Sequence, residues 1–256
     1  MSQRLPLIAA AAASLAALAA APAAMAQDES PWTGFYVGAT LGADWGNTSP
    51  HVSATAANGS SIPQSDIDTL NALSINHENN TGFTGGIVGG YNHQSGHLLL
   101  GLETDFGLLD ISQARSATFQ SMQLINPPVT FTLAQKTNTD WLWTVRPRIG
   151  YAAGRWLIYG TGGLAMTDAK LTTSYSDTRT PANLLTMSSS KTKTGWTAGV
   201  GAAYALAANW SIKGEWLYND FGSISTTAAS SASFASFTST SKVRAHIMRL
   251  GLAYRF

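Results

Sequence analysis

The chain of 256 residues contains no cysteine, which excludes stabilisation by disulfide bonds. Beyond residue 26 no stretch reaches about 18 uninterrupted apolar residues, so the sequence predicts no transmembrane helix. Charged residues make up only 11% of the chain, and the formal net charge is +1. The basic surplus that a nucleic-acid-binding protein needs is therefore absent.

The first 26 residues have the composition of an export signal. Arg4 supplies a short positive region, residues 5–20 form an apolar run rich in Ala and Leu, and residues 24–26 fit an A-x-A cleavage site. This order predicts a signal peptide over 1–26 and a mature chain of 27–256. Without Arg4, fourteen basic residues face fourteen acidic ones. An exported chain without disulfides needs another source of stability, and a closed barrel in lipid would supply it.

Residues 141–151 show the clearest pattern in the chain. Their odd positions are apolar or aromatic, and their even positions include Arg146 and Arg148. Such two-residue alternation predicts an extended strand with two different faces. In a membrane barrel the apolar face meets lipid and the polar face lines the interior. A hairpin of a soluble β-sandwich would show the same alternation, so this segment alone leaves both architectures open.

Seven further segments repeat the alternation. The eight predicted strands cover about residues 35–45, 83–92, 98–108, 141–151, 156–166, 196–204, 210–218 and 247–256. Short turns alternate with four long polar segments, predicted as loops, over residues 47–81, 111–138, 168–193 and 222–241. Short turns on one side of the membrane and long connections on the other side are typical of outer-membrane barrels. The sequence therefore predicts an all-β fold, an eight-stranded antiparallel up-and-down transmembrane β-barrel with four long outer loops.

Two features predict local details of this barrel. Pro147 cannot donate a ladder hydrogen bond, and a closed barrel has no free edge, so we expect a bulge or locally irregular pairing there. Aromatic residues near the strand ends are expected to form girdles at the two membrane interfaces. They are Trp32, Trp45, Trp141, Trp143, Tyr151, Trp156, Trp196, Tyr204, Trp210, Trp216 and Tyr254.

The strands also carry an ordered set of short motifs. They are residues 32–38 (WTGFYVG), 101–106 (GLETDF), 144–146 with 148–151, 159–165 (YGTGGLA), 195–199 (GWTAG), 215–218 with 220–222, and 249–256 (RLGLAYRF). Together they resemble the small outer-membrane β-barrel proteins of the opacity and porin-like family, the group that includes hemin-binding surface proteins. The chain departs from the family pattern at Pro147, where a small residue is usual, and at Ala203, where Glu is common.

The resemblance implies a location in the outer membrane of a Gram-negative bacterium, in contact with its lipid and lipopolysaccharide. The last strand, with Leu252, Tyr254 and Phe256 on one face, resembles the signal that the barrel-assembly machinery reads. The implied role is a structural or adhesive surface protein whose loops meet a host or another extracellular ligand.

Charged residues at inward positions form the candidate site. The acids are Glu103, Asp105 and Glu215, and the bases are Arg146, Arg148, Lys213 and Arg249, with Asp44 expected higher in the barrel. Acids and bases on consecutive strands can meet across the ladder. One interpretation is an ion-selective constriction or proton path. We favour a mutually satisfied set that plugs the barrel and leaves little or no pore activity, because eight strands enclose just enough room for side chains.

Histidine and serine raise alternative functions. The histidines are His51, His77, His93, His97 and His246. The resemblance to hemin-binding proteins implies that heme is a candidate ligand of the outer loops, but no fixed spacing singles out an iron ligand. His246 with Ser241 would suit a lipid A-modifying enzyme, but no acid lies beside them in sequence. We therefore predict no catalytic residue, no metal ligand and no required cofactor, with heme capture, a small porin and a lipid A enzyme as alternatives.

Overall fold

The computed structural model describes residues 31–56, 80–120, 130–177, 185–230 and 235–256. The predicted signal peptide lies outside these ranges. Within them no helix is both long and apolar enough to cross a membrane. The strands are β1 (Gly34–Ala56), β2 (Asn80–Ser95), β3 (Leu98–Gln120), β4 (Thr130–Ala153), β5 (Trp156–Asp177), β6 (Leu185–Ala205), β7 (Trp210–Ser230) and β8 (Ala235–Arg255).

Consecutive strands pair in an antiparallel sense, and β1 pairs with β8 to close a barrel. Two-residue turns join β2 to β3 and β4 to β5 on the predicted periplasmic side. They begin at Gly96 and Gly154, whose φ angles of 60° and 57° lie in the left-handed region that glycine adopts without steric cost. The predicted eight-stranded up-and-down barrel is confirmed.

The two faces of each strand differ as the alternation predicted. On β3 the outward side chains Leu100 and Leu102 are 51% and 54% exposed, whereas the inward Leu99 beside them is fully buried. Glu103, further along the inward side, is only 1% exposed. Large apolar side chains that face outward on strand after strand have a physical reason only if lipid surrounds them.

Outward aromatic rings form two belts around the barrel. The periplasmic belt contains the ring pairs Phe35–Tyr91, His97–Tyr151, Trp156–Tyr204 and Trp210–Tyr254, with centroids 4.8 to 5.2 Å apart. The outer belt contains Phe106–Trp141, Trp196–Tyr218 and Trp216–His246, at 6.1, 5.3 and 5.8 Å. The predicted girdles are thus present, except that Trp32 is 5% exposed and lies inside the periplasmic end of the barrel.

The strands run much further outward than the sequence indicated. Seven of them have 21 to 24 residues, and they extend into all four segments that were predicted as loops. Those loop predictions were wrong for the described parts of the segments. Hydroxyl side chains meet across the extended ladders, as in Thr118–Thr132 at 3.1 Å and Ser225–Thr240 at 3.0 Å. Thr has a high strand propensity, and such cross-strand pairs stabilise a ladder that is polar enough to resemble a loop.

Pro147 interrupts the ladder without shifting it. The β4–β5 register is the same at Val145, opposite Leu164, and at Arg148, opposite Thr161, but the two positions between them have no β5 partner. The expected irregular pairing is therefore found, and no bulge occurs there. Register shifts occur instead between Leu108 and Ile111 on β3, between Asn138 and Leu142 on β4, and between Asp220 and Ser223 on β7.

Above the outer belt the barrel wall divides into two sheets. Pairing between β6 and β7 ends at Trp196–Asp220, and pairing between β2 and β3 ends at Thr84–Leu109. Beyond these points β3, β4, β5 and β6 form one sheet, while β7, β8, β1 and the first four residues of β2 form the other. The inward faces of these sheets face each other over the mouth of the barrel.

Candidate functional site

Three groups of buried side chains occupy successive heights of the described interior, and we name them as layers from the periplasm outward. The lower apolar layer is Trp32, Leu99, Ala152, Leu157, Tyr159, Ala203 and Ala205. The charged layer is Glu103, Asp105, Arg146, Arg148, Lys213, Glu215 and Arg249. The upper apolar layer is Leu109, Leu142, Ala165, Ala169, Leu171, Leu217, Phe221, Ile224, Val243, Ala245 and Ile247. The charges therefore lie between two apolar layers.

Arg146 lies at the centre of the charged layer. The register places it directly opposite Glu103 on β3, and its Nη2 is 2.6 Å from Glu103 Oε1. The same nitrogen is 2.8 Å from Asp105 Oδ2, and Nη1 is 3.4 Å from Glu215 Oε1 on the far wall. The Arg146 side chain has no exposed surface. One guanidinium thus joins acids from two distant strands.

Arg249 binds the two acids on the outer side of this centre. Its Nη2 lies 3.0 Å from Asp105 Oδ2 and 2.8 Å from Glu215 Oε2. Asp105 is on β3 and Arg249 is on β8, so this contact crosses the lumen. Charge-assisted hydrogen bonds of this kind are about twice as strong as neutral ones. They fasten opposite walls of the barrel to each other.

Arg148 and Lys213 share a single carboxylate oxygen on the periplasmic side. Glu103 Oε2 lies 3.0 Å from Arg148 Nη1 and 2.7 Å from Lys213 Nζ. All seven charged residues named from the sequence therefore meet in one network. The arrangement differs from the separate cross-strand pairs that the sequence suggested, because each acid contacts at least two bases.

Uncharged polar side chains complete the network. The Tyr36 hydroxyl donates to Glu103 Oε2 at 2.7 Å and accepts from Arg148 Nη1 at 2.9 Å. Thr144 donates to Asp105 at 2.6 Å, and the Tyr159 ring lies 4.0 Å from the Arg148 guanidinium carbon. None of these three residues was predicted from the sequence to belong to the site. Their inward position in the alternation was the available signal.

Asp44 lies apart from this network, closer to the outer mouth of the barrel, as the sequence predicted. It is opposite Gly82 on β2 and Ile247 on β8, beside the upper apolar layer. The side chain is fully buried, and neither carboxylate oxygen has a hydrogen-bond partner among the described residues. Gly82 is required here, because a Cβ at that position would lie 2.2 Å from the backbone carbonyl oxygen of Asp110 and 2.7 Å from Asp44 Oδ1.

The histidines that were considered for heme do not converge in the described part of the chain. His93 and His97 flank the turn between β2 and β3, whereas His246 packs in the outer belt between Trp45 and Trp216. His51 lies on β1, and His77 lies outside the described residues. No group of three potential metal-ligating side chains occurs in the described ranges. Heme binding stays a prediction.

The serine and histidine that were considered for lipid A chemistry face opposite ways. Ser241 is inward and 2% exposed, while His246 is outward in the outer belt. Five residues of extended strand separate them by roughly 17 Å. This distance is far beyond the hydrogen-bond reach that a nucleophile and its base need.

The three residues of the predicted assembly signal lie on the outward side of the end of the chain. Tyr254 packs against Phe256 with ring centroids 5.3 Å apart, and the Phe256 amide donates to Phe35 O at 2.9 Å. Leu252 precedes them on the same face of β8. Their role in assembly stays a prediction, which a comparison of folded yields with and without Phe256 would test.

Comparisons with known proteins agree with this architecture. A family model described as an outer membrane protein beta-barrel domain matches residues 10–256. A 31 kDa outer-membrane immunogenic protein of Brucella melitensis biotype 1 is 33% identical over 238 residues, which cover 92% of this chain and 88% of that protein. A 22 kDa outer membrane protein of Rhizobium leguminosarum bv. viciae is 30% identical over 144 residues, covering 56% of this chain and 54% of that protein.

Among solved structures, the chain is similar to Ail, the attachment invasion locus protein of Yersinia pestis. The TM-score is 0.39 at 15% identity, with coverage of 88% of this chain and 99% of Ail. The family model and the Brucella relative both match nearly the whole chain. They confirm the predicted location in the outer membrane. This chain belongs to the outer membrane protein beta-barrel domain family and is a protein of the Gram-negative outer membrane.

Proposed function

We propose that this outer-membrane barrel is a closed, non-conducting support that displays an extended β wall as a structural or adhesive surface. The observation that carries the proposal is the three-layered interior, with a charged layer between two apolar ones. A barrel that served mainly as a channel would need a continuous polar path. The upper apolar layer opposes such a path at the outer mouth, because ions bind water too strongly to enter an apolar layer.

The charged layer supports the same proposal. Ion passage would require the central ion pairs to open, and Arg146, Glu103 and Glu215 have side chains that are at most 1% exposed. Breaking a buried ion pair typically costs about 3 to 5 kcal/mol. We therefore interpret the layer as a structural plug rather than a selectivity filter.

The outer wall is where a surface function would reside. A transmembrane strand needs only about 9 to 11 residues, so strands of 21 to 24 residues continue well beyond the membrane. Their outward faces carry rows of hydroxyl groups, including Thr172–Ser188 and Ser174–Thr186. A polar wall of this height is accessible to macromolecules outside the cell.

The name of the Brucella relative supports a surface role that is not enzymatic. The Brucella relative is named an outer-membrane immunogenic protein, and we extend to this chain the exposure to a host that such a name implies. We also propose that the chain is not an enzyme, which accords with the separation of Ser241 from His246 on opposite faces of β8.

The closed interior is tested by conductance in planar lipid bilayers. We expect little or no steady current from the refolded protein. The matched control replaces the connections at the outer strand ends, residues 57–79, 121–129, 178–184 and 231–234, with Gly-Ser linkers of the same lengths. Because the interior layers close the barrel, this control should also remain silent. Large, stable, ion-selective channels in the intact protein would overturn the proposal.

The adhesive role is tested with whole cells that produce the intact protein, the control with replaced connections, or neither. Because both versions keep the β wall, both should attach to immobilised extracellular-matrix proteins and glycans, and the strain that produces neither should not. Equal attachment by all three strains would contradict adhesion and leave only the structural role. Antibody staining of intact cells confirms that both versions reach the surface.

A further inference from the structure

The charged layer is not electrically balanced. Its acids are Glu103, Asp105 and Glu215, and its bases are Arg146, Arg148, Lys213 and Arg249, so three negative charges face four positive ones. Buried charge without a counter-charge is strongly unfavourable in a medium of low dielectric constant. An additional negative charge close to this layer would remove the imbalance.

The unbalanced charge lies on the periplasmic side of the layer. Arg146 and Arg249 are surrounded by several carboxylate oxygens, whereas Glu103 Oε2 is the one carboxylate oxygen of the described residues that Arg148 and Lys213 contact. That oxygen also accepts a hydrogen bond from the Tyr36 hydroxyl at 2.7 Å. Because three donors share this one oxygen, the positive charges of Arg148 and Lys213 are only partly neutralised.

Asp44 cannot supply the missing charge at this place. It is the other buried acid of the described interior, but it makes no ion pair there. It lies eight residues beyond Tyr36 on β1, roughly 26 Å along the strand. It therefore belongs to the opposite end of the charged layer.

A cavity of about 30 Å³ reaches these two cations from the periplasm. Arg148 and Lys213 line its inner end, and Arg255 lies at its edge, where it donates to backbone carbonyls of Thr33 and Ala208. Trp32 also lines the cavity. A cavity of this volume is large enough to hold a water molecule or a chloride ion.

Two hydrogen-bond donors beside this cavity have no partner. Trp32 Nε1 and Arg148 Nε are both buried and unpaired among the described residues, and each of the two residues is only 5% exposed. A buried N–H without an acceptor costs about 1 to 3 kcal/mol when nothing fills the gap. A pair of such donors next to an excess positive charge has the chemistry of an anion site.

We propose that the periplasmic cavity binds one small monovalent anion of the halide class, held by Arg148, Lys213 and the Trp32 indole N–H. A single negative charge cancels the excess of one positive charge, whereas a sulfate or phosphate dianion would reverse it. The anion completes the closure of the barrel at its periplasmic end.

Bromide locates the site directly. Crystals of the refolded protein grown in sodium bromide should show an anomalous peak within hydrogen-bond distance of Lys213 Nζ and Trp32 Nε1. The Lys213→Met variant has three charges of each sign, and its crystals should show no peak there. A wild-type cavity without bromide, as expected if Lys213 is neutral or if only water occupies the cavity, would overturn the proposal.

Unfolding in non-ionic detergent gives an independent measurement. At constant ionic strength, replacing gluconate with chloride should raise the urea midpoint of the wild type in a saturable manner, as a specific ligand does. Trp32→Phe removes one donor and keeps a ring, so the chloride concentration for half the effect should rise roughly two- to tenfold, the loss expected for one hydrogen bond. This variant also serves if Lys213→Met fails to fold.

Lys170→Met is the matched control, since Lys170 is an exposed lysine on the outward face of β5. It should keep the wild-type response to chloride. An equal response to chloride in the wild type, in Lys213→Met and in Trp32→Phe would assign the effect to general salt binding and overturn the proposal.

Discussion

The membrane half and the outer half of the same strands have opposite polarity. On β8, the membrane half directs Leu250 and Met248 outward and Arg249 inward. A few residues further out, Val243 is inward and only 1% exposed, while Lys242 is outward and exposed. One strand therefore changes its apolar face from outside to inside, although its two-residue alternation continues.

This inversion follows from the medium outside the wall. In the membrane half the surrounding lipid accepts apolar side chains, so the interior is free to hold a charged network. In the outer half water surrounds the wall, and the hydrophobic effect drives apolar side chains such as Leu171 and Ile224 between the two sheets. The upper apolar layer is thus a small sandwich core above the barrel.

The largest effect is expected where the membrane half depends on buried charge. Glu103→Met removes the one acid that Arg148 and Lys213 contact among the described residues, so it should destabilise the protein by about 3 to 5 kcal/mol. Urea unfolding in lipid vesicles measures the loss. Adding Arg146→Met should not restore stability, because Arg148 and Lys213 remain without an acid. Recovery in the double variant would mean that the network behaves as isolated pairs.

The exposed ion pair between Arg244 and Asp220 is the control for that experiment. Its atoms are 3.0 Å apart, as in the buried pairs, but the arginine side chain is 46% exposed. Asp220→Asn should therefore cost at most about 1 kcal/mol. Similar losses for Glu103→Met and Asp220→Asn would contradict the distinction between buried and exposed charge.

A smaller effect is expected from adding charge to the outward face. Leu250→Arg places a cation in the lipid-facing band and should cost about 2 to 4 kcal/mol if it lies near the bilayer midplane. Thr172→Arg makes a comparable change on the outward face above the outer belt and should change stability by less than about 0.5 kcal/mol. Unfolding midpoints in lipid vesicles compare the two variants. Equal losses of stability would mean that the membrane boundary does not lie between Leu250 and Thr172.

The smallest effect tests the upper apolar layer itself. Ile224 is 1% exposed between the two outer sheets, and Ile224→Val should cost about 0.5 to 1.5 kcal/mol. Its neighbour Ser225 faces outward, so Ser225→Ala should cost less than about 0.5 kcal/mol. If Ile224→Val changes nothing in an unfolding series that resolves about 0.3 kcal/mol, a factor of about 1.7 in the equilibrium constant, the two sheets do not form a packed core.

The fold of the membrane half could be read from the sequence because its signal is local. Period-two alternation in segments such as 141–151 identifies both the strand and its two faces, and lipid exposure makes the apolar face strongly hydrophobic. The outer half lacks this contrast. Its inward residues are often Ala or Thr, as at Ala169 and Thr173 on either side of Leu171, so the residual alternation there was too weak to distinguish from loop sequence.

The candidate site was predictable in membership but not in geometry. Inward position alone identified the seven charged residues, including Arg146 and Lys213. Register between neighbouring strands also permitted the contact of Glu103 with Arg146. The sequence did not indicate that Tyr36 joins Glu103 or that Arg148 stacks on Tyr159, because a tyrosine hydroxyl or ring carries no charge pattern to follow.

By itself the sequence determined the strands of the membrane half, the side each residue faces and the number of strands, since these depend on neighbours along one strand. The tertiary structure decided which charges meet. Arg249 binds Asp105 across 144 residues of chain, and Lys213 binds Glu103 across 110. Neither contact joins neighbouring strands, so both depend on the radius of the closed barrel, and closure creates the narrow, dry interior in which those charges must be paired.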